Sequence, residues 1–158
     1  MASRHGPLTA TPDGLAIGDV AARHVRLRAD GVAECVGDAP RAVLPWSDIR
    51  ALRFSPPTTI WPWPGMQETV GSLLLAVLGD VSPLGEVERY PVVLTVTSGD
   101  EVTWEVDPHY IAGYRRSHVR SAQRIVEVLT SSAESRALLR HPADALTRLA
   151  AVGRRAAW

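Results

Sequence analysis

Val92-Val93-Leu94-Thr95-Val96-Thr97-Ser98-Gly99-Asp100-Glu101-Val102-Thr103-Trp104-Glu105-Val106 is the stretch whose reading decides the fold class. Apolar and polar residues alternate on both sides of a Ser-Gly-Asp step, the pattern of two antiparallel strands joined by a tight turn. With Ser98-Gly99-Asp100 as the loop, Val92, Leu94 and Val96 fall opposite Val106, Trp104 and Val102 and make one apolar face. Thr103, Glu105 and Asp107 then point to water. This is a sheet with one wet side, and downstream of it the period changes. Val119, Ala122, Ile125, Val126 and Leu129 recur at helical spacing, with Arg120 and Arg124 on the opposite face. This predicts an amphipathic helix from about Arg116 to Ser131, supported by Glu127 three residues beyond Arg124.

Upstream, the first dozen residues, ending at Pro12-Asp13-Gly14, read as a loose arm, and a first strand follows over Leu15 to Val20. His24 to Arg28 and Val32 to Val36 flank Ala29-Asp30-Gly31, which fits a three-residue hairpin loop with Gly31 left-handed. That register sets Arg26 against Glu34 on one face and pairs Val25 with Cys35 and Leu27 with Ala33 on the other. Between Ala42 and Phe54 the period of two breaks, so a turn is expected at Trp46 to Asp48, then a strand that includes Leu52 to Phe54, bridged by a bulge or short helical turn. Downstream, a short helix is expected over Ser135 to Arg140 and a last one over Ala143 to Val152, with Pro142 in its first turn and Gly153 ending it.

The 158 residues suit one domain, and 46% hydrophobic with 22% charged residues excludes a largely disordered or fibrous chain. All 17 basic residues are Arg and they balance 17 acids, which argues against a protein that wraps duplex nucleic acid. Cys35, the lone cysteine, cannot form an internal disulfide, and with no secretory leader and no spanning apolar segment the expected setting is the cytoplasm.

The order of these elements resembles the bacterial pleckstrin-homology-like (PH-like) domains, a type common in actinobacteria. The residues that carry the likeness are Val25 to Leu27, Leu44-Pro45-Trp46-Ser47-Asp48-Ile49, Val92 to Val106 and the helix from about Arg116. The resemblance implies an α+β fold in which a mostly antiparallel sheet curls into a partly open barrel capped by the amphipathic helix. The PH-like domain would span 1–131, with an insertion at about 55–88, and 132–158 would be a helical extension rather than an independent domain. Phosphoinositide-binding members of the wider family place basic residues around the first hairpin, where this chain has Arg23, Arg26 and Arg28 beside Asp30 and Glu34.

Three further features bear on function. Pro56 to Met66 carries Trp61 and Trp63 between prolines, which favours an extended path with projecting rings. Trp61, Trp63 and Met66 suit an interface or a membrane edge, or else they cover an open barrel seam or the apolar run Val70 to Leu78. Charge is also laid out unevenly. Asp80 to Asp107 holds seven acids and one Arg, whereas Pro108 to Trp158 holds nine Arg and three acids. Arg115, Arg116, Arg120 and Arg124 crowd the start of the amphipathic helix, where the dipole disfavours cations, so they either match the acidic block or form an anion site. Finally, Asp107-Pro108-His109 sets a carboxylate beside an imidazole, which reads as a turn or as a metal or acid-base pair, and Cys35 reads as a small core residue.

No phosphate-cradling glycine loop, nucleophile elbow or zincin motif is present. The expectation is therefore a non-enzymatic binding module without a cofactor, whose partner is another protein or a second copy in a homo-oligomer. A membrane-peripheral or anionic-ligand binder is the alternative, and a small enzyme of unrecognised type the third reading.

Overall fold

The computed structural model describes residues 3–59, 88–110 and 113–155, with side chains as far as Ala151. The fold is α+β, with a mostly antiparallel curled sheet that does not close. Six strands form one antiparallel meander in sequence order: β1 (Arg4–His5), β2 (Leu8–Thr11), β3 (Gly14–Gly18), β4 (Arg23–Leu27), β5 (Gly31–Val36) and β6 (Ala39–Pro45). A 3-10 turn at Trp46–Asp48 leads into β7 (Ile49–Phe54). Three strands make the second sheet, in the order β10 (Glu101–Val106), β9 (Tyr90–Val96), β7. A short parallel pair joins β8 (Thr58–Thr59) to β11 (Tyr114–Arg115). At the corner between the two large sheets, the Asp107 N–H donates to Arg23 O at 2.9 Å and the Asp19 N–H donates to Asp107 O at 2.8 Å.

The residues read as a loose arm form the β1–β2 hairpin, in which Arg4 faces Thr9 and His5 faces Leu8. Leu8 is fully buried, and burial of that one side chain together with pairing to β3 orders a segment whose own composition is polar.

Both recognised hairpins exist, and both differ in register from the sequence reading. In β9–β10 Trp104 faces Val92 and Val102 faces Leu94, so the loop is Thr97-Ser98-Gly99, with Gly99 at φ +96°. The slip is two residues, and because strand side chains alternate with a period of two the apolar face is the one expected. In β4–β5 the slip is one residue. Arg26 faces Ala33 and Leu27 faces Val32, and the Arg28 N–H donates to Gly31 O at 2.8 Å to close a two-residue loop. Gly31 is thus not the left-handed loop residue. It is needed for close approach, since a Cβ there would lie 2.5 Å from the Leu44 carbonyl oxygen. The shift turns Val32 into the core with Val25 and Leu27, and sets the smaller Ala33 and Cys35 on the face of Arg26.

Three helices follow among the described residues: α1 (Arg116–Ser131), α2 (Ala133–Ala137) and α3 (Pro142–Arg155). Helix α1 buries Val119, Ala122, Ile125, Val126 and Leu129, the stripe expected from spacing. The Ser132 side chain caps α2 by accepting from the Ser135 N–H at 3.1 Å. Helix α3 runs past Gly153, which was expected to end it; a glycine within a helix costs only about 1 kcal/mol. Leu139, Leu146 and Ala150 join the same core as Leu15, Ile17, Leu94 and Trp104. At the end of β6 the Trp46 Nε1–H donates to Arg28 O at 2.7 Å, and the Arg136 guanidinium lies 5.2 Å over the indole.

Candidate functional site

Among the described residues β7 is an edge strand, with β9 on one side and helix α1 along the other. The Gln123 side-chain amide donates to Phe54 O at 3.0 Å, so the Phe54 main chain faces the helix rather than β9. In an antiparallel pair the main-chain groups of alternate residues point the same way, which directs the Leu52 N–H and C=O to that side as well. Between β7 and α1 lies a groove of about 540 Å³, walled by Arg50, Leu52 and Arg53 from the strand and by Gln123, Glu127 and Thr130 from the helix. A register shift between Ile49 and Ala51 leaves Arg50 as the bulged residue, and its side chain is exposed. Arg53 is exposed too and meets Glu101 at 2.6 Å. Arg50 has no carboxylate partner among the described residues. Sequence reasoning passed over Arg50, Leu52 and Gln123 because edge position is not written in local periodicity. The break in alternation at Arg50 was the one available signal.

Of the residues singled out from the sequence, Trp61, Trp63 and Met66, like the run Val70 to Leu78, lie outside the described residues. Arg116, Arg120 and Arg124 are exposed on one side of α1, and Arg115 is half-buried at its N-cap, where no side chain caps the helix. None of the four pairs with a carboxylate among the described residues. The match expected between the acidic hairpin and this helix does not form there. Glu101 and Asp107 are instead engaged by Arg53 and Arg89, at 2.6 and 2.9 Å.

Around the first hairpin, Arg26 is largely buried, with both terminal nitrogens engaged and its Nε without a hydrogen-bond partner among the described residues. It meets Asp13 at 3.2 Å, where an Arg26/Glu34 pair was expected, and its other terminal nitrogen donates to His24 Nε2 at 3.1 Å. Arg28 lies 3.4 Å from Asp30 and 3.8 Å from Asp13. Two of the three cations that resemble a headgroup site, Arg26 and Arg28, are therefore neutralised from within. His24 is fully buried beside this cation, and burial lowers its pKa, helped by Arg26. Cys35 is buried across from His24, and burial pushes its thiol pKa up, as for an inert core thiol.

Asp107 and His109 do not form a pair. The Asp107 carboxylate accepts from the Arg23 N–H at 3.0 Å and from Arg89 Nε at 2.9 Å. The His109 ring bridges Thr9 Oγ1, 2.9 Å from Nε2, and the Tyr114 hydroxyl, 3.0 Å from Nδ1. The same hydroxyl accepts from the His109 main-chain N–H at 2.8 Å. Burial, helped by Arg4, brings the His109 pKa down to about 4, so the ring is neutral at pH 7. Burial holds the Tyr114 phenol up at about 12, and it pushes the pKa of Tyr90 up in the same pocket of the fold. Among the described residues the Tyr90 hydroxyl has no well-formed hydrogen bond of its own. This polar chain fastens β2 to the segment that enters α1. A second fastening is His5, whose Nε2 lies 2.9 Å from Ser121 Oγ.

Among the described residues no group of three or more His, Cys, Asp or Glu is gathered to hold a metal ion, and no helix is long and apolar enough to cross a membrane. Comparison with protein families, with curated proteins and with solved structures finds no match to this chain.

Proposed function

We propose that this chain is a non-enzymatic interaction module of PH-like architecture that binds another polypeptide along β7. The order of a strand meander, a second three-stranded sheet and an amphipathic helix packed beside β7 supports the architectural reading. One observation carries the functional reading: the hydrogen bond from Gln123 to Phe54 O, by which the outer edge of β7 meets a side-chain donor where, among the described residues, no further strand pairs. An edge whose main-chain groups face a groove is the usual receiver of an extended segment, because the added strand gains its hydrogen bonds from the backbone. A single buried cysteine accords with a cytoplasmic setting for such a module.

Selection of a random peptide library, displayed on phage, against the immobilised chain tests this reading. Enriched extended sequences support it, and recovery no better than from the bare support removes it.

A second reading, contact with an anionic membrane, is favoured by Arg116, Arg120 and Arg124, exposed along α1 without carboxylates among the described residues. The sequence motif with Trp61, Trp63 and Met66 would add the apolar part of that contact. Flotation with acidic liposomes at low salt tests it, and absence of binding there ends it.

A further inference from the structure

We propose that the occupant of the β7–α1 groove is an acidic extended segment of a different protein, paired to the Leu52 main chain with a carboxylate set against Arg50 and Arg53. The inference rests on the reading of β7 as a docking edge and adds the chemistry of what docks. Main-chain direction comes from Gln123 and Phe54, 3.0 Å apart: the Phe54 carbonyl is answered by the helix, and the Leu52 N–H and C=O, two residues back, face the same groove. The groove's volume of about 540 Å³ matches the lower range of sites that enclose a ligand.

Charge decides among occupants. The strand wall carries two exposed guanidiniums within four residues, of which Arg53 is shared with Glu101 and Arg50 has no carboxylate among the described residues. A second copy of this chain adding its own β7 would bring the Arg50 and Arg53 of both copies to one seam. Like charges facing each other across strands are destabilising, and edge cations are a common guard against self-pairing. An apolar strand would leave Arg50 unanswered. An acidic strand meets both guanidiniums from the outer side, while Glu127 on the helix wall turns away a second carboxylate and admits a neutral or basic residue there. The segment that fits is therefore extended, with β-branched residues for the strand and an acid on the side of Arg50 and Arg53.

The test takes peptides from the phage selection, labels them with a fluorophore, and measures affinity for the wild-type chain, for an Arg50→Glu, Arg53→Glu double variant and for Arg120→Glu. Main-chain amide shifts of the isotopically labelled full chain locate the contact. Expected are peptides rich in Asp and Glu, shifts centred on Leu52, Arg53 and Gln123, and a loss of about tenfold in the double variant, the size of two exposed charge contacts. Arg120→Glu should bind as the wild type does. Both arginines are solvent-exposed, and thermal unfolding of the double variant shows that it folds. Enriched peptides without acids, or acidic peptides held equally by the double variant, overturn the assignment of the occupant and leave the docking edge standing. Shifts centred on Arg116 and Arg120, with β7 unmoved, overturn the groove itself. A selection that enriches nothing removes the docking reading together with this one.

Discussion

The Gln123 side-chain amide sits 3.0 Å from Phe54 O, so a helix residue fills the hydrogen-bonding position that a neighbouring strand would occupy. Removing it leaves a partly buried carbonyl without that donor. Gln123→Ala should cost about 1 kcal/mol of stability by urea denaturation, the net value of one hydrogen bond. Faster hydrogen exchange should stay local to the β7–α1 contact. A variant as stable as the wild type would mean that water replaces the amide at no cost.

Acid should weaken the fold through His109. Its pKa falls from 6.5 to about 4 on folding, so between these values the native state binds fewer protons than the unfolded chain. Stability is then fully present above pH 6.5 and is lost as the pH falls toward 4, by up to about 3 kcal/mol. His24, also lowered by burial, acts in the same direction. Denaturation midpoints across this range should show a shallower slope for His109→Gln, and an unchanged slope would place the acid sensitivity elsewhere. At the alkaline end the sign reverses. Tyr114 is raised to about 12, so its contribution is whole below pH 10 and fades as the pH climbs between those values.

Gly31, the first residue of β5, and Gly37, in the turn that follows that strand, should respond differently to alanine. At Gly31 a Cβ would stand 2.5 Å from Leu44 O, a backbone atom that cannot swing aside. The β5–β6 pairing must shift, at a cost of about 2 to 3 kcal/mol. Gly37 has φ +56° and open space around it, so only the left-handed backbone is charged, at about 1 kcal/mol. Thermal unfolding of both variants should rank Gly31→Ala as clearly the less stable, and the opposite ranking would contradict the β5–β6 register.

The N-terminal turn of α1 has no acid and begins with Arg116, four residues before Arg120. Arg116→Glu should therefore stabilise the protein by about 0.5 to 1 kcal/mol, by favouring the helix dipole and turning a like-charge pair into an attractive one. A loss of stability would mean that Arg116 makes a contact that outweighs both effects. If acidic liposomes bind the wild type, the same substitution should weaken that binding, which separates the residue's use from its cost to folding.

The two hairpins show how far local pattern reaches. A slip of two in β9–β10 kept every face, because Val92, Leu94, Val102 and Trp104 carry their side through the strand period. The slip of one in β4–β5 did not. Val32, Ala33 and Cys35 are all small and apolar enough to lie on either face, and the choice was made by Gly31 meeting the Leu44 carbonyl of another strand. The β1–β2 hairpin was illegible because its anchors are distant: Thr9 reaches His109, and His5 reaches Ser121.

Alternation and helical spacing thus determined by themselves the α+β class, the wet and dry faces of β9 and β10 and the buried stripe of α1, since each of these depends on side chains a few residues apart. Whether Arg26 is a free cation, which strand ends the second sheet and where Gln123 spends its amide were decided only by tertiary structure. These depend on contacts with Asp13, on the order of strands in the second sheet and on a helix residue meeting Phe54, and such long-range contacts have no local period to announce them.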